Sequence, residues 1–333
     1  MVKLYKVSPS PHLHSGQSTS IIMRDVLIAL IPSLLVSIWF FGISALYISV
    51  ISVAACMISE YMICRYLLRK EATLQDGSAA VTGLLLAFNV PTQIPEWILI
   101  TGALFAIGIA KMSFGGLGNN PFNPALAGRV FLLISFPVQM TSWPVPKGIT
   151  TSFTDAVTGP TPLAILREGV ESGIPVGNIL SDIPSLSSLF LGHRGGSLGE
   201  ISALALLVGF GYLLHKKIIT WHIPIFVLGS LVLCTGMAWI IRPDLYASPV
   251  FHLFTGGALL GAIYMATDYA TSPMSVQGMI LYGISIGCIT AVIRLFGAYP
   301  EGMSFAILIM NAFVPLINLY LKPKRFGREV SHG

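Results

Sequence analysis

Charged residues are scarce in this chain of 333 residues, since Asp, Glu, Lys and Arg together make up only 10% of it. Hydrophobic residues make up 54%, and the mean hydropathy is +0.79. Soluble domains carry about 25% charged residues, so this composition excludes an ordinary soluble domain and indicates an integral membrane protein. The net charge of +5 does not predict a nucleic-acid partner. The basic residues cluster at the ends of apolar runs, where they set orientation and meet anionic membrane lipid.

Cysteine is also rare. The four cysteines are Cys56, Cys64, Cys234 and Cys288. All lie in apolar runs without C-x-x-C spacing, so neither a disulfide framework nor an iron–sulfur cluster bound by this chain alone is indicated. Buried, inert thiols are the favoured interpretation. The residues before the first apolar run lack the usual form of a cleavable signal peptide, so the N-terminus is predicted to stay in the cytoplasm.

Long apolar runs fill most of the chain. Crossing a hydrocarbon core about 30 Å thick takes about 20 apolar residues, and ten runs approach that length. They are 26–42, 44–66, 76–91, 95–112, 122–138, 198–215, 220–240, 250–267, 276–295 and 302–320. The sequence therefore predicts an all-α integral membrane protein with about ten transmembrane helices. The third run is short and flanked by Asp76 and Pro91, which predicts a broken or re-entrant segment shielded inside the protein.

The runs divide the chain into two membrane halves, 1–138 and 198–333, joined by a long connection at 139–197. With the N-terminus inside, thirteen basic residues, Lys111 among them, fall on inner segments and five on outer ones. This bias agrees with the positive-inside rule. It predicts that both termini are cytoplasmic and that the connection is extracytoplasmic. Because each half holds an odd number of spans, the halves would be inverted repeats, as in many transporter folds.

The segment 155–163 is the most distinctive part of the connection. It is rich in Thr, Gly and Pro, and Pro160 and Pro162 restrict the backbone on either side of Thr161. A connection of this length with apolar residues favours a packed, functional segment. A short helix is predicted over 161–171, with Pro162 in its first turn. Thr161 would lie at the helix N-terminus, where free backbone N–H groups favour an anion such as a phosphate ester.

Other polar features lie in or beside the apolar runs. The glycine-rich run 115–124 lacks the Lys-Ser/Thr pair of a phosphate-binding P-loop, so a tight inner turn is favoured. Arg129 lies inside the fifth run, where an unpaired cation is costly; it is either functional or a structural partner of a helix end. Asp76 and Asp268 lie at inner ends of runs, where they either contact a coupling ion or cap helices.

Several segments resemble one known family when they are taken together and in order. They are Ser10-Pro11-His12, Met23-Arg24-Asp25-Val26, Asp76-Gly77-Ser78, Phe114 to Ala125, Met265-Ala266-Thr267-Asp268, Thr271-Ser272-Pro273, and Ala306-Ile307-Leu308 with Asn311. These segments are distributed over nearly the whole chain. They resemble the family of the D subunit of the Rnf electron-transport complex, which is related to the B subunit of the sodium-pumping NADH:quinone reductase.

This resemblance implies a redox subunit of an ion-translocating ferredoxin:NAD oxidoreductase in the bacterial cytoplasmic (inner) membrane. Such a complex moves Na⁺ or H⁺, and the subunit is not expected to be active alone. The implied partners are the iron–sulfur, NAD-binding and second flavin subunits of the complex, together with an FMN transferase for maturation. The sequence contains no soluble NAD-binding or iron–sulfur domain, so partner subunits would have to carry those functions.

The resemblance also implies two flavins. Family members carry FMN on a Thr through a phosphoester bond, within a pattern like Asp-x-x-Ser/Thr-x-Ala-Thr. The matching residues here are Asp155, Thr158 and Thr161, with Gly159 between them and Pro160 where the family usually has Ala. Thr161 is therefore the expected attachment site. Candidates to balance the phosphate charge are Lys147, Arg129, His193 and Arg194. A second, noncovalent riboflavin is also implied, but the sequence assigns no residue to it.

Two other interpretations belong to different functional classes. Inverted halves of five spans are also typical of a channel or transporter for a small neutral solute without redox activity. A purely structural membrane scaffold is the third interpretation, and it predicts that electron transfer does not depend on Thr161. Covalently bound flavin distinguishes the redox subunit from both.

Overall fold

The computed structural model describes residues 18–70, 74–146, 148, 158–181, 183–192 and 195–322, and most of them are helical. The helices, in chain order, are α1 (Thr19–Phe41), α2 (Ile43–Met62), α3 (Ser78–Ala87), α4 (Glu96–Leu104), α5 (Pro124–Ser135), α6 (Pro137–Thr141), α7 (Pro162–Glu171), α8 (Val176–Ser181), α9 (Leu186–Leu191), α10 (Ala203–His215), α11 (His222–Ile241), α12 (Pro249–Phe254), α13 (Ala258–Leu260), α14 (Val276–Phe296) and α15 (Met303–Tyr320). Wider π-helical turns extend α2 over Ile63–Leu67, α4 over Phe105–Lys111 and α13 over Gly261–Met265.

Six helices in the described part of the chain are long and apolar enough to cross a membrane. They are α1, α2, α4, α11, α14 and α15, with the extensions of α2 and α4 included. The predicted spans at 76–91, 122–138 and 198–215 instead hold the shorter helices α3, α5 and α10, and the span at 250–267 is divided between α12 and α13. Because α3 has ten residues, it is about 15 Å long and reaches about halfway across a hydrocarbon core. The all-α membrane architecture agrees with expectation, whereas ten crossings and inverted repeats stay predictions.

The glycine-rich run 115–124 forms the tight turn that the sequence favours. Its backbone has positive φ at Gly115, Gly116 and Gly118, a conformation that glycine adopts without steric cost. The Asn123 side chain then accepts a hydrogen bond from the Leu126 N–H at 3.2 Å, and Pro124 takes the first helical position. An Asn cap followed by Pro is a strong helix start, and it begins α5 here.

The two halves of the chain interlock where α1, α10 and α13 meet. The Tyr264 hydroxyl donates to the Ala29 carbonyl oxygen at 3.1 Å. A Cβ on Gly209 would lie 2.2 Å from that same carbonyl oxygen and 2.0 Å from the Tyr264 hydroxyl. Glycine is therefore required at position 209 for α10 to approach α1 this closely.

Glycine also permits close packing of α11 against α14. A Cβ added to Gly287 would lie 1.9 Å from the Ser230 hydroxyl oxygen and 2.4 Å from the Val227 carbonyl oxygen. These atoms belong to the body of α11, so they have little room to move. The close contact between the two helices thus depends on glycine, which has no side chain, at position 287.

Gly287→Ala is expected to lower the free energy of unfolding by about 1–3 kcal/mol, because the added methyl group overpacks this contact. The matched control is Gly229→Ala on α11, where an added Cβ meets nothing within 4 Å. That change is expected to stabilise the helix by about 0.5–1 kcal/mol. Unfolding of the purified chain by a denaturing detergent measures both, and equal effects of the two substitutions would contradict the packing argument.

The cysteines differ in their surroundings. Cys56 and Cys64 are buried, as expected, but Cys234 and Cys288 are half-exposed. Their Sγ atoms are 3.6 Å apart across the contact between α11 and α14. The expectation that all four thiols are buried is therefore wrong for this pair, because these two cysteines lie at the edge of the α11–α14 contact, next to the protein surface.

The described part of the connection 139–197 is packed, in agreement with the expectation from its apolar residues. Helices α7, α8 and α9 contribute to a second, smaller hydrophobic core. Its buried members are Leu163, Leu166, Val176, Ile179, Ile183, Leu189, Ala247 and Phe251. A short antiparallel pair of strands, β1 (Trp143–Pro144) and β2 (Thr158–Gly159), holds the chain ahead of α7. Helix α7 is thereby fixed against the second membrane half.

Candidate functional site

Thr161 is the N-terminal cap of α7, and the predicted short helix over 161–171 is confirmed. The Thr161 hydroxyl oxygen accepts a hydrogen bond from the Ala164 N–H at 3.2 Å, and Pro162 occupies the first turn. Thr161 is half-buried and lies at the edge of a cavity. The local sequence therefore places a hydroxyl group and the positive end of a helix dipole at the same point.

The cavity beside Thr161, called the Thr161 cavity below, lies between α5, α7 and the start of α15. Its polar lining consists of Arg129, Thr141, Thr161, Ser197, Glu200, Glu301 and Ser304. Its aromatic lining consists of Trp143, Tyr299 and Phe305. Tyr299 and Phe305 are stacked with their ring centroids 5.2 Å apart. The cavity thus combines a mixed-charge polar wall with flat apolar surfaces.

Arg129 is the centre of the polar wall. The residue is 6% exposed, and its guanidinium group donates to the Asn89 side-chain oxygen at 2.7 Å and to the Ser304 hydroxyl at 2.9 Å. It is also paired with Glu301 and lies 3.7 Å from a Glu200 carboxylate oxygen. Arg129 was a candidate to balance the charge of a phosphate on Thr161, and both residues line this one cavity.

Glu200 and Glu301 line the Thr161 cavity but were not predicted as site residues from the sequence. Glu200 begins the sixth apolar run, and Glu301 lies between α14 and α15. Burial opposes the ionisation of Glu301, but Arg129 and Arg294 and the Gly257 N–H outweigh burial and hold the pKa of this carboxyl below its ordinary value of 4.5. In a chain with only 14 acidic residues, two carboxylates at the edges of apolar runs were an available signal for partners of an intramembrane arginine.

The stability of the chain is expected to fall in acid as Glu301 becomes protonated. Because its folded-state pKa is lowered, the carboxylate's contribution is fully present above about pH 4.5 and is lost as the pH falls through the folded-state pKa. Glu301→Gln should lower the free energy of unfolding at neutral pH and flatten its decrease below about pH 4.5. Denaturation across this pH range measures the effect. Glu171→Gln, at an exposed position of α7, should keep the wild-type pH profile, and identical profiles for all three proteins would contradict the assignment.

The remaining residues predicted for flavin attachment fall into two groups. Thr158 and Gly159 form β2 and pair with Pro144 and Trp143, so they support the cavity through Trp143. Lys147, Asp155, His193 and Arg194 lie outside the described residues.

A second cavity lies beside the N-terminal ends of α3 and α5. Its polar lining consists of Ser78, Thr82, Lys111, Asn120, Asn123, Thr267 and Asp268, and the rest is mainly apolar. The Lys111 ammonium group donates to Glu60 and to the Ser78 hydroxyl, both at 2.6 Å, and the side chains of Lys111 and Glu60 are 2% and 0% exposed. Lys111 was counted with the inner basic residues, but it is a buried ion-pair partner. The positive-inside count therefore includes one residue that does not report on orientation.

The two acids predicted at inner span ends behave differently. Asp76 accepts hydrogen bonds from the Ser78 N–H at 2.8 Å and from the Ser78 hydroxyl at 2.6 Å, and it lies one residue before Gly77, the N-cap of α3. Asp268 accepts from the Thr271 hydroxyl at 3.3 Å and lines the second cavity. No cluster of three or more metal-ligating side chains occurs among the described residues. A contact of either acid with a coupling ion stays a prediction.

Comparison with known proteins gives one consistent result. The model of the NQR2, RnfD, RnfE family matches residues 6–327. The D subunit of the Na(+)-translocating ferredoxin:NAD(+) oxidoreductase complex of Acetobacterium woodii is 46% identical over 324 residues, which cover 96% of this chain and 95% of that protein. The D subunit of the proton-translocating ferredoxin:NAD(+) oxidoreductase complex of Clostridium ljungdahlii is 40% identical over 97% of this chain and 96% of that protein. The D subunit of the ion-translocating oxidoreductase complex of an Escherichia coli strain is 37% identical over 98% and 99%. The chain belongs to the NQR2, RnfD, RnfE family.

Proposed function

We propose that this chain is the D subunit of an ion-translocating ferredoxin:NAD oxidoreductase and carries FMN on Thr161 through a phosphoester bond. It would take part in coupling electron transfer to the movement of Na⁺ or H⁺. The names of the relatives support the complex, since two of them are subunits of Na(+)- and proton-translocating ferredoxin:NAD(+) oxidoreductases. The flavin supplies the oxidation and reduction, and the protein supplies attachment and surroundings.

The observation that carries this proposal is the position of the Thr161 hydroxyl in a cavity that suits a phosphate ester. A phosphate on this oxygen would lie at the N-terminus of a ten-residue helix, where backbone N–H groups and the helix dipole favour negative charge. Arg129 lines the same cavity and is held by Glu301 and Glu200. Arg129 and the nearby Arg294 together offset the two carboxylates, and the helix N-terminus supplies the remaining favourable charge for a phosphate.

The rest of the Thr161 cavity suits a flat aromatic ring system. Trp143, Tyr299 and Phe305 provide apolar faces against which an isoalloxazine ring would pack. A Cβ on Gly196 would meet no atom of the described residues within 4 Å. The buried Ser197 hydroxyl has no partner among the described residues, and it would bond a polar atom of a ligand in this cavity.

The second cavity is where we place the noncovalent riboflavin. It is mainly apolar with a few convergent polar groups, as small-molecule sites usually are. The amide groups of Asn120 and Asn123 line it together with Asp268. In the topology predicted from the basic residues, this cavity faces the cytoplasm and the Thr161 cavity faces outward, in the inner membrane of a bacterium. Iron–sulfur, NAD-binding and second flavin subunits would complete the complex.

Covalent flavin tests the proposal directly. The chain should be produced with an FMN transferase, denatured, separated by electrophoresis and examined for flavin fluorescence, and the flavin-bearing peptide should be sequenced by mass spectrometry. Fluorescence is expected in the wild type and in Thr161→Ser, which keeps a hydroxyl group. The exposed control Thr220→Ala should keep it too, and Thr161→Ala should lose it. A matured wild-type chain without covalent flavin would refute the proposal and favour the solute-transporter alternative.

A further inference from the structure

Two adjacent cavities, treated together as one groove below, lie beside α7 and beside the α11–α14 pair. The polar end of this groove, the head cavity, is lined by Arg167, Glu171, His252 and Arg294. Its apolar end, the tail groove, is lined by Met237, Ala238, Ile241 and Val292, with Arg242 at one side. Tyr246, Leu295 and Phe296 line both ends, so the two form one feature with a polar head and an apolar tail.

The head cavity contains buried polar atoms that lack partners. His252 is 2% exposed, and neither of its ring nitrogens has a hydrogen-bond partner among the described residues. Arg294 is 8% exposed; its terminal nitrogens donate to the His252 carbonyl oxygen at 2.6 Å and to the Thr255 carbonyl oxygen at 3.0 Å. Its Nε has no partner in the described part of the chain. Buried polar groups in folded proteins are normally satisfied, so a polar group in the head cavity, from a ligand or from water, would satisfy these nitrogens.

The charge around the groove favours an anion. Three guanidinium groups, those of Arg167, Arg242 and Arg294, line it, whereas Glu171 is its one carboxylate among the described residues. Glu171 is paired with Arg167 at 2.8 Å. Glu200 and Glu301 also act on Arg294, but they line the neighbouring Thr161 cavity. An arginine with an available N–H group is a preferred partner of phosphate oxygens.

The tail groove is exposed and apolar. Met237 is 58% exposed, Val292 56% and Phe296 71%, and all three belong to helices that are long and apolar enough to cross a membrane. The Tyr246 and Phe296 rings meet edge to face, 6.5 Å apart, where the tail groove joins the head cavity. A hydrocarbon chain would therefore continue from the head cavity along the contact between α11 and α14.

We propose that the groove binds one anionic phospholipid. Its phosphate would lie in the head cavity against Arg294 Nε and a His252 ring nitrogen, and one acyl chain would lie in the tail groove. The buried nitrogens of the head cavity would bind the phosphate, and the adjacent apolar tail groove on the membrane-facing surface would bind the acyl chain. The bound lipid would join α7 to the membrane helices of the second half.

Native mass spectrometry of the full-length chain in detergent tests this proposal. Dioleoylphosphatidylglycerol and the zwitterionic dioleoylphosphatidylcholine are titrated separately. Both carry the phosphate, but the choline cation of the second would lie among Arg167, Arg242 and Arg294, so the first is expected to bind about tenfold more tightly. Arg294→Gln should reduce this preference, and His252→Phe should weaken the binding of both lipids. Arg65→Gln, which changes an exposed arginine at the far end of α2, should leave the preference unchanged. Equal binding of the two lipids by the wild type would overturn the proposal.

A second substitution keeps the test valid if the Arg294 variant does not fold. Val292→Trp should fill the tail groove without touching the head cavity and should weaken phosphatidylglycerol binding about tenfold, as the lost burial of an acyl segment predicts. Leu233→Trp, at a 67% exposed position of α11 outside the groove, is its control. A phosphatidylglycerol with a photoreactive acyl chain should crosslink to Met237 or Val292. Crosslinks elsewhere, full competition by inorganic phosphate, or a bound peptide in place of the lipid would each overturn the proposal.

Discussion

Ferredoxin-dependent reduction of NAD⁺ by the intact complex is expected to fall to background when Thr161 is replaced by Ala. In the proposed function the flavin carries out the electron transfer, and without the Thr161 hydroxyl group no phosphoester bond could hold it in the cavity. The measurement is the rate of NAD⁺ reduction by membranes that contain the assembled complex. A wild-type rate in Thr161→Ala would show that the chain acts as a scaffold.

Thr161 also caps α7, so loss of activity has a second explanation that must be separated from the first. Removing an N-cap hydroxyl costs about 1 kcal/mol of stability. Asn is as good a cap as Thr but offers no hydroxyl group for a phosphoester. Thr161→Asn should therefore keep the wild-type stability and lose both covalent flavin and electron transfer, whereas Thr161→Ser should keep all three. If Thr161→Asn retained activity, the cap and not the flavin would be the function of this position.

The largest expected effect on stability is at the buried pair of Lys111 and Glu60. Lys111→Met should lower the free energy of unfolding by about 3–5 kcal/mol, because it leaves the Glu60 carboxylate buried beside an apolar side chain. The double variant Lys111→Met/Glu60→Gln should recover most of this loss, since it removes both charges. Unfolding of the purified single and double variants by a denaturing detergent measures the coupling between the two residues.

The contrast with a surface pair tests whether burial is the cause. Arg167 and Glu171 form an ion pair one helical turn apart on α7, and their side chains are 28% and 63% exposed. Arg167→Met should cost no more than about 0.5 kcal/mol. Equal losses in the free energy of unfolding for Lys111→Met and Arg167→Met would show that burial is not the cause. A double variant Lys111→Met/Glu60→Gln that is no more stable than Lys111→Met would show the same.

Features governed by neighbouring residues were predictable from the sequence. The Thr161-Pro162 pair begins α7, and the Asn123-Pro124 pair begins α5, because a capping side chain and a proline in the first turn act within a few residues of each other. Apolar runs likewise located the long helices, since hydrophobic length is a local property of the sequence. The family resemblance rested on motifs and did not require the fold.

Features that depend on contacts distant in sequence were not predictable. Lys111 meets Glu60 51 residues earlier in the chain, so nothing near Lys111 distinguishes it from a basic residue at the membrane surface. The division of the eighth predicted span between α12 and α13 is not apparent from hydropathy, which is high throughout. The half-exposure of Cys234 and Cys288 depends on which face of α11 meets α14. Each of these outcomes is decided by tertiary packing.

Arg129 has a consequence for how the protein is made. Of its hydrogen-bond and ion-pair partners in the described part of the chain, only Asn89 precedes it, and Glu301 follows 172 residues later. At synthesis rates of about 5–20 residues per second, α5, which ends at Ser135, is complete about 8–33 s before Glu301 leaves the ribosome. Until Glu200 is synthesised the guanidinium group has the Asn89 amide and neither carboxylate, and from then until Glu301 is synthesised it has one of the two. The insertion machinery must therefore shelter a charged helix until the second half of the chain arrives to neutralise it.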